Sequence, residues 1–182
     1  VGDEVLLGGN ILKFFREKPK ETENETIPQE IIESSMPILL QGETGTGKTT
    51  LAQKIHEQSG VAGKFVHLCL SSFAPSLIES EIFGHVKGAF TGAILDKMGA
   101  LRMAHQGTLF LDEIDSLPLE IQVKLLLFLD NQTYRQVGST QEKSVNTRII
   151  FASGQNLEEL VEKNLMRKDF YYRLNAGYFY KL

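Results

Sequence analysis

A glycine-rich segment with a single lysine carries the clearest chemical signal in this sequence. Residues 42–49 read GETGTGKT and fit the pattern G-x-x-x-x-G-K-[ST] of a phosphate-binding loop. Glycines let the backbone curl so that successive N–H groups point at phosphate oxygens, and the positive end of a following helix adds to the attraction. Lys48 would reach the outer phosphates of a nucleotide, and the Thr49 hydroxyl would bind Mg²⁺. The predicted nucleotide contacts in this segment are Gly42, Glu43, Thr44, Gly45, Thr46, Gly47, Lys48, Thr49 and Thr50.

Two adjacent acids supply the second half of a candidate nucleotide site. Asp112 and Glu113 follow the apolar segment GTLFL at residues 107–111. A buried strand has no internal use for paired carboxylates. Asp112 would hold Mg²⁺, directly or through water, and Glu113 would act as the general base that polarises an attacking water. The alternative is that one of the two only caps the next turn, but the phosphate-binding loop in the same chain favours ATP hydrolysis.

The elements that must position these groups alternate between strand-like and helix-like segments. Strands are predicted over residues 38–41, 64–69, 107–111 and 148–152, and helices over 48–58, 76–83, 99–105, 118–131 and 157–163. Ser76 and Glu79 have the spacing of a capping box. The helix over 118–131 is apolar on more than one face, which predicts deep burial. The alternation predicts an α/β fold with a central parallel sheet covered on both faces, whose ligands bind at the carboxyl ends of the strands.

Composition and charge narrow the class of protein. The 182 residues are 42% hydrophobic and 23% charged, which is ordinary globular composition and sufficient for one sizeable core. Since no apolar run approaches the roughly 20 residues that span a bilayer, no membrane segment is expected. The net charge of −4 argues against strong DNA binding by this segment itself. The single cysteine, Cys69, cannot form an internal disulfide, which favours a reducing, cytoplasmic compartment.

A second glycine-rich segment is more specific. Its residues are Gly88, Ala89, Phe90, Thr91, Gly92 and Ala93. By residue type it is either a surface turn with Phe90 tucked into the core, or a flexible loop whose tip offers Phe90 and Thr91 to a partner. The run GAFTGA resembles the signature loop of the bacterial enhancer-binding proteins, the AAA+ activators of sigma-54 RNA polymerase. The resemblance covers about residues 36–182, in blocks at 42–48, 79–93, 107–114, 135–140 and 167–175.

The resemblance implies a fold, a partner and an assembly. It implies a three-layer P-loop AAA+ core over residues 31–182, preceded by an N-terminal segment and charged linker over 1–30. It implies ATP and Mg²⁺ as cofactors, and the sigma-54 RNA polymerase holoenzyme as the partner that the GAFTGA loop remodels. By similarity, Arg167 and Arg173 are arginine fingers that complete the site of a neighbouring subunit in a hexameric or heptameric ring, although a surface salt bridge is the commoner fate of an arginine. Arg135 matches an interface arginine.

Several positions depart from the family pattern. Cys69 stands where the family usually has an asparagine that tethers the catalytic glutamate, and because a thiol is a poor partner for a carboxylate, the restraint on Glu113 is expected to be absent. The sensor A-T-N reads ASG at residues 152–154. Ser153 keeps a hydroxyl for the nucleotide, whereas Gly154 lacks the sensing amide. Leu127 stands where the family often has arginine; Thr49, where it usually has glutamate, restores the general loop pattern.

These departures leave the activity open. One interpretation is an ATPase that activates sigma-54 transcription. Another is a nucleotide-binding regulatory module that assembles with little or no ATP turnover. An ATPase acting on a different client is disfavoured by the intact GAFTGA loop. The segment at residues 178–182 is expected to be the last strand of the core, so the family's helical lid, and the DNA-binding domain that often follows it, are expected to be absent from this chain.

Overall fold

Five parallel strands form the centre of the fold. The structure, a computed structural model, describes residues 3–7 and 10–14 as backbone and residues 27–182 in full. The strands are β3 (Ile38–Gln41), β4 (Phe65–Cys69), β7 (Thr108–Asp112), β10 (Arg148–Ser153) and β11 (Tyr178–Lys181). Their order across the sheet is β11-β3-β10-β7-β4, and every neighbouring pair is parallel. The predicted strands are confirmed, each within one residue at either end.

In the described part of the chain, seven α-helices and three small antiparallel strand pairs accompany this sheet. The helices are α1 (Gln29–Glu33), α2 (Lys48–Gln58), α3 (Pro75–Phe83), α4 (Ala100–Met103), α5 (Leu119–Asn131), α6 (Leu157–Glu162) and α7 (Lys168–Asn175). The strand pairs are β1 (Asp3–Leu7) with β2 (Asn10–Phe14), β5 (Gly84–His85) with β6 (Lys97–Met98), and β8 (Thr133–Arg135) with β9 (Glu142–Ser144). Within the described ranges, no helix has the length and apolar character needed to cross a membrane.

Both faces of the sheet are buried, as the alternating pattern predicts. In β3, Leu39 points to one core and its neighbours Ile38 and Leu40 to the other. The same alternation in β10 places Phe151 with Leu39 and Ile150 with Ile38. Successive side chains of a strand point to opposite faces, so a nearly continuous apolar run fills two cores at once. The α/β prediction, with helices on both sides of a parallel sheet, is confirmed.

Three local predictions differ from the structure. Helix α3 begins at Pro75 after Ala74, with no side-chain cap. The predicted capping box is wrong, because Glu79 pairs with Lys124 instead. Helix α1 begins at Gln29, inside the predicted charged linker, and Ile27 is already buried. Residues 15–26 of that linker lie outside the described residues.

Helix α5 is less deeply buried than its composition suggests. Its inner face, which includes Leu125 and Phe128, has no exposure. Leu119, Val123 and Leu127 are 44%, 37% and 55% exposed. Residues four apart share one face of a helix, so these three form an apolar stripe on the outside of the molecule. The prediction of deep burial holds for only one side of the helix.

Candidate functional site

The phosphate-binding loop joins the carboxyl end of β3 to the amino end of α2. Gly45 and Gly47 have φ of +88° and +90°, values that glycine adopts readily. Among the described residues, no atom lies within 4 Å of the position that a Cβ would take at either glycine. Residues 43–47 are exposed, and Gly47 caps α2 without a side-chain bond to its first amides. The loop therefore presents exposed backbone, at the amino end of α2, that phosphate oxygens can approach.

The Lys48 amino group lies over this loop. Its Nζ donates to the carbonyl oxygens of Gly42 at 2.7 Å and Glu43 at 2.8 Å. Both bonds are to backbone carbonyls, and no carboxylate is among the partners described for Nζ, so the positive charge stays available to an anion. Thr49 and Thr50, in the first turn of α2, are exposed. The donor set fits a nucleotide triphosphate with a hard cation such as Mg²⁺.

The two acids lie at the carboxyl end of β7, on the same edge of the sheet as the phosphate-binding loop. Asp112 is the last residue of β7, and its Oδ1 accepts the N–H of Glu113 at 2.9 Å. Glu113 has φ of +57°, a left-handed conformation that is uncommon outside glycine. A 3₁₀ turn over Ile114–Ser116 follows. Backbone strain of this kind often marks functional positions.

Strand β4 contributes a neighbour to each acid. His67 Nε2 lies 3.6 Å from Asp112 Oδ2. The Cys69 thiol donates to Glu113 Oε2 at 3.7 Å, and its Sγ is 3.5 Å from Ser71 Oγ. The expectation that the glutamate would have no tether is therefore corrected: a contact is present, although a thiol makes a long and weak hydrogen bond. The residue type predicted the strength of the tether, whereas the strand register decided that the two groups meet.

Ser153 ends β10 beside the loop, and its hydroxyl is already engaged. The residue is fully buried; its Oγ donates to Asp115 Oδ1 at 2.8 Å and accepts the Gln155 N–H at 3.0 Å. The Gln155 amide donates to Asp115 Oδ2 at 3.0 Å. Gln41 Nε2, at the end of β3, donates to the Gln155 carbonyl at 2.9 Å. Ser153, the predicted sensor residue, thus takes part in a hydrogen-bond network that links the end of β3 to Asp115, in the turn that follows Glu113.

The predicted arginine fingers have different surroundings. Arg167 caps α7 and makes a paired contact with Asp169, from Nε to Oδ1 at 3.0 Å and from Nη2 to Oδ2 at 2.7 Å. The hydrogen bond from Arg167 lowers the pKa of Asp169. This pair is exposed to solvent. Arg173 is held within its own subunit, because its Nη2 donates to the Leu129 carbonyl at 2.9 Å and its Nε lies 3.2 Å from Asp130 Oδ1.

The remaining candidates lie apart from the strand edge. Arg135, in β8, is exposed and 3.9 Å from Glu142. The GAFTGA segment forms a closed loop between β5 and β6, in which Gly88 N–H donates to the Ala93 carbonyl at 2.8 Å. Gly88 and Gly92 have φ of +81° and +100°. Phe90 is 39% exposed, and its ring meets the buried His85 edge-on at 4.9 Å. The Phe90 ring is thus partly buried: one part of it packs against His85, and the rest is exposed to solvent.

Comparison with known proteins agrees with this geometry. The family described as "Sigma-54 interaction domain" matches residues 15–179.

This chain belongs to the sigma-54 interaction domain family.

Curated relatives of this sigma-54 interaction domain are bacterial regulators. It is 40% identical over 170 residues to the probable regulatory protein WtsA of a pathogenicity locus of Pantoea stewartii, which covers 92% of the chain and 53% of the relative. It is 46% identical over 149 residues to the sigma54-dependent transcriptional activator SfnR of Pseudomonas putida, which covers 81% and 41%. The chain therefore spans about half the length of the curated relatives it matches.

Solved structures resemble the same region. NtrX from Brucella abortus in complex with ATP superposes with a TM-score of 0.76 and 34% identity over 84% of this chain and 33% of that one. The P-loop NTPase domain of a sigma-54 activator from E. coli superposes with a TM-score of 0.55 and 23% identity, covering 84% and 87%. The second likeness concerns the fold alone. Together these matches agree with a nucleotide-binding AAA+ P-loop core.

Sequence reasoning missed several polar residues that the fold brings to this region. Asp115 and Gln155 are separated by 40 positions and carry no motif. His67, which lies beside Asp112, belongs to no motif either. Gln122 did leave a signal, since it is an amide within a largely apolar run, and it is almost fully buried at 1% exposure. A buried amide requires partners, so its presence in an apolar run indicates a specific structural task.

Proposed function

We propose that this protein is an ATP-dependent activator of sigma-54 RNA polymerase. One observation carries the proposal: the phosphate-binding loop follows β3, and the Asp112–Glu113 pair follows β7, so both groups lie at the carboxyl edge of one parallel sheet. In this proposal residues 31–182 form the ATPase core, and residues 1–30 precede it as a separate segment. The membership of the family supports sigma-54 as the target.

The phosphate-binding loop would hold the nucleotide. Backbone N–H groups at Gly45 to Lys48 and the amino end of α2 would bind phosphate oxygens, and Lys48 would neutralise their charge. The Thr49 hydroxyl and the Asp112 carboxylate would hold Mg²⁺. A bound Mg²⁺–ATP would supply the phosphoryl group and the metal charge that stabilises its transfer. Glu43, Thr44, Thr46 and Thr50 complete the proposed contact set.

Glu113 would act as the base. One of its carboxylate oxygens would take a proton from a water molecule as that water attacks, a transfer that needs the carboxylate within hydrogen-bond reach of the water. The contact from Cys69 competes for Oε2 only weakly, because the thiol is a poor donor at 3.7 Å. The left-handed backbone at Glu113 supports this role, since it sets the side chain independently of the strand.

Arg167 would complete the site of a neighbouring copy in a ring. Its guanidinium is exposed and held only by Asp169 among the side chains described around it, so it can be presented to a phosphoryl group outside its own subunit. It also lies in a shallow groove with Leu119 and Tyr172, both of which are exposed. An exposed apolar rim beside a charged group suits an interface with a second copy. Arg173, which was predicted to act with Arg167, would instead hold α7 against α5 through its contacts with Leu129 and Asp130.

The GAFTGA loop would deliver the mechanical output. Phe90 presents half a ring to solvent, and Ile94 and Leu95, just beyond the loop, are 76% and 73% exposed. An apolar tip on a loop closed by two left-handed glycines suits insertion into a partner. The sigma-54 holoenzyme is the proposed partner, and DNA contact would come from a domain outside this chain.

A second function has its own support. Gly154 has no side chain, and the Ser153 hydroxyl is bonded to Asp115, so neither sensor position holds a free group for the nucleotide. These positions favour a module that binds nucleotide and assembles without turning it over.

The deciding experiment measures ATP hydrolysis by the full-length protein over a range of protein concentrations, beside a Glu113→Gln control. Hydrolysis per subunit that rises with concentration and vanishes in the control supports a ring ATPase with an arginine acting between subunits. Equal rates for the protein and the control, with nucleotide binding intact, support the non-hydrolysing module and overturn the mechanical role of the loop.

A further inference from the structure

Gln122 is a buried side chain that makes three hydrogen bonds and lies outside the proposed nucleotide site. It lies in the first turns of α5 and is 1% exposed. Its Nε2 donates to the carbonyl of Leu117 at 2.9 Å and to that of Leu165 at 3.2 Å. Its Oε1 accepts the backbone N–H of Arg167 at 2.8 Å. One amide therefore joins two stretches of backbone, that of Leu117 and that of Leu165 and Arg167, which are distant along the chain.

The first of these stretches is the turn that follows Glu113, the proposed base, and ends at Leu117. Ser116 N–H donates to the Glu113 carbonyl at 2.9 Å, and Leu117 N–H donates to that of Ile114 at 3.1 Å. Leu117 ends this 3₁₀ turn. Leu117 is 3% exposed, so without the bond from Gln122 its buried carbonyl would lose a hydrogen-bond donor. The bond from Gln122 thus sets the exit of the turn that begins at Glu113.

The second stretch carries the exposed arginine. Leu165 and Met166 both donate their N–H groups to the Leu160 carbonyl, at 2.8 Å and 3.1 Å, so the chain reverses sharply after α6. Met166 is buried, whereas the Arg167 side chain is exposed. The Arg167 backbone is thus held by the buried Met166 that precedes it and by the bond from its own N–H to Gln122 Oε1.

Only an amide can satisfy this arrangement. Gln122 donates twice and accepts once, which an apolar side chain cannot do and a carboxylate cannot do either. An apolar residue of similar volume would suit the α5 interior, but it would leave the Arg167 N–H and two carbonyls without this partner. The side chain therefore serves the backbone on both sides of it rather than the packing of its own helix.

We propose that Gln122 is a positioning residue that sets the Arg167 backbone for use in the neighbouring subunit's site and couples it to the turn after Glu113 in its own. This inference rests on the proposed function. A rotation of the Glu113 turn would move Leu117, and through Gln122 it would move the base of the arginine that serves the next site. The state of one site would thereby reach its neighbour through one side chain.

The test uses mixtures of variants of the full-length protein, because Glu113 acts in its own site and Arg167 in the next. Gln122→Met, which keeps the volume and removes the amide, should lower ATP turnover by about ten- to a hundredfold, as small misplacements of catalytic groups do. Its affinity for ADP should be unchanged. Mixing Gln122→Met with Glu113→Gln should restore activity above that of either protein alone, because some sites then combine an intact Glu113 with a well-positioned Arg167. Mixing it with Arg167→Ala should restore nothing.

Each result has one meaning. The role of Gln122 alone is overturned if Gln122→Met turns over ATP at the wild-type rate. It is also overturned if the mixture of Gln122→Met with Glu113→Gln stays inactive while the control mixture of Arg167→Ala with Glu113→Gln regains activity. No restoration in that control pair overturns the action of Arg167 between subunits, and no turnover by the wild type overturns the proposed ATPase. If Gln122→Met does not fold, as judged by its thermal unfolding, the same mixtures are made with Gln122→Leu, which also removes the acceptor of the Arg167 N–H.

Discussion

The Cys69 thiol lies 3.7 Å from Oε2 of Glu113, at the point where β4 and β7 end side by side. The register pairs Cys69 with Asp112, which brings the next residue, Glu113, within reach of the sulfur. A thiol hydrogen bond of this length restrains a carboxylate only weakly. Glu113 should therefore be freer to act as a base than it would be beside a strong donor.

Cys69→Asn should strengthen this restraint. An amide donates a stronger hydrogen bond to a carboxylate, worth about 1.5–3 kcal/mol, so turnover in the absence of sigma-54 polymerase should fall by about ten- to a hundredfold. ATP affinity should not change, because Cys69 does not belong to the phosphate-binding loop. Steady-state hydrolysis and nucleotide binding measure the two effects. Cys69→Ala is the matched control, and equal turnover by the asparagine and alanine variants would rule the tether out.

Phe90→Ala should separate hydrolysis from activation. The ring is 39% exposed and meets only the edge of His85 among the aromatic contacts described, so its loss should leave ATP turnover within about twofold. Promoter opening with sigma-54 polymerase should be abolished. Ile94→Ala, at a more exposed neighbouring position, is the control for general loss of apolar surface. If Phe90→Ala unfolds the protein instead, the ring belongs to the core and not to an interface.

Gly138→Ala should damage the support of the GAFTGA loop. Gly138 has φ of +79°, and a Cβ there would lie 2.6 Å from the Ala89 Cβ. The left-handed backbone alone costs about 1–2 kcal/mol for a residue with a Cβ, and the contact with Ala89 adds to this. Activation should fall more than ATP turnover. Gly60→Ala has similar strain at φ of +65° and meets no described atom within 4 Å, so equal losses in the two variants would contradict a role in the loop.

Tyr171 should make stability depend on alkaline pH. Its hydroxyl donates to Glu158 at 2.8 Å, and burial, together with this bond and the Glu158 charge, raises its pKa from 10.0 to about 12. The folded protein keeps this proton after the unfolded chain has lost it. The stabilising contribution is therefore complete below about pH 10 and is lost as the pH rises through about 12. Urea unfolding should show this loss in the wild type and not in Tyr171→Phe; parallel curves for the two proteins would exclude Tyr171 as the cause.

Local patterns in the sequence were sufficient to predict the fold and to propose the main groups of the candidate site. The phosphate-binding loop depends on glycines, one lysine and one threonine that are consecutive, and the acid pair depends on two adjacent residues after an apolar strand. Interactions within such short segments are set by neighbours along the chain, so they can be predicted without knowing the tertiary structure. The parallel sheet followed from the alternation of strand-like and helix-like segments, which requires no specific contact.

Contacts between distant segments were decided only by the tertiary structure. The parallel register of β4 and β7 brings Cys69 to Glu113, and the end of β10 beside β7 brings Ser153 to Asp115. The packing of α5 against the chain before α7 joins Gln122 to Arg167. A register shift of one residue would turn each strand side chain to the opposite face of the sheet, so these contacts depend on how distant segments pair. The sequence therefore determined which chemical groups are available, and the packing of the strands and helices decided which of them meet.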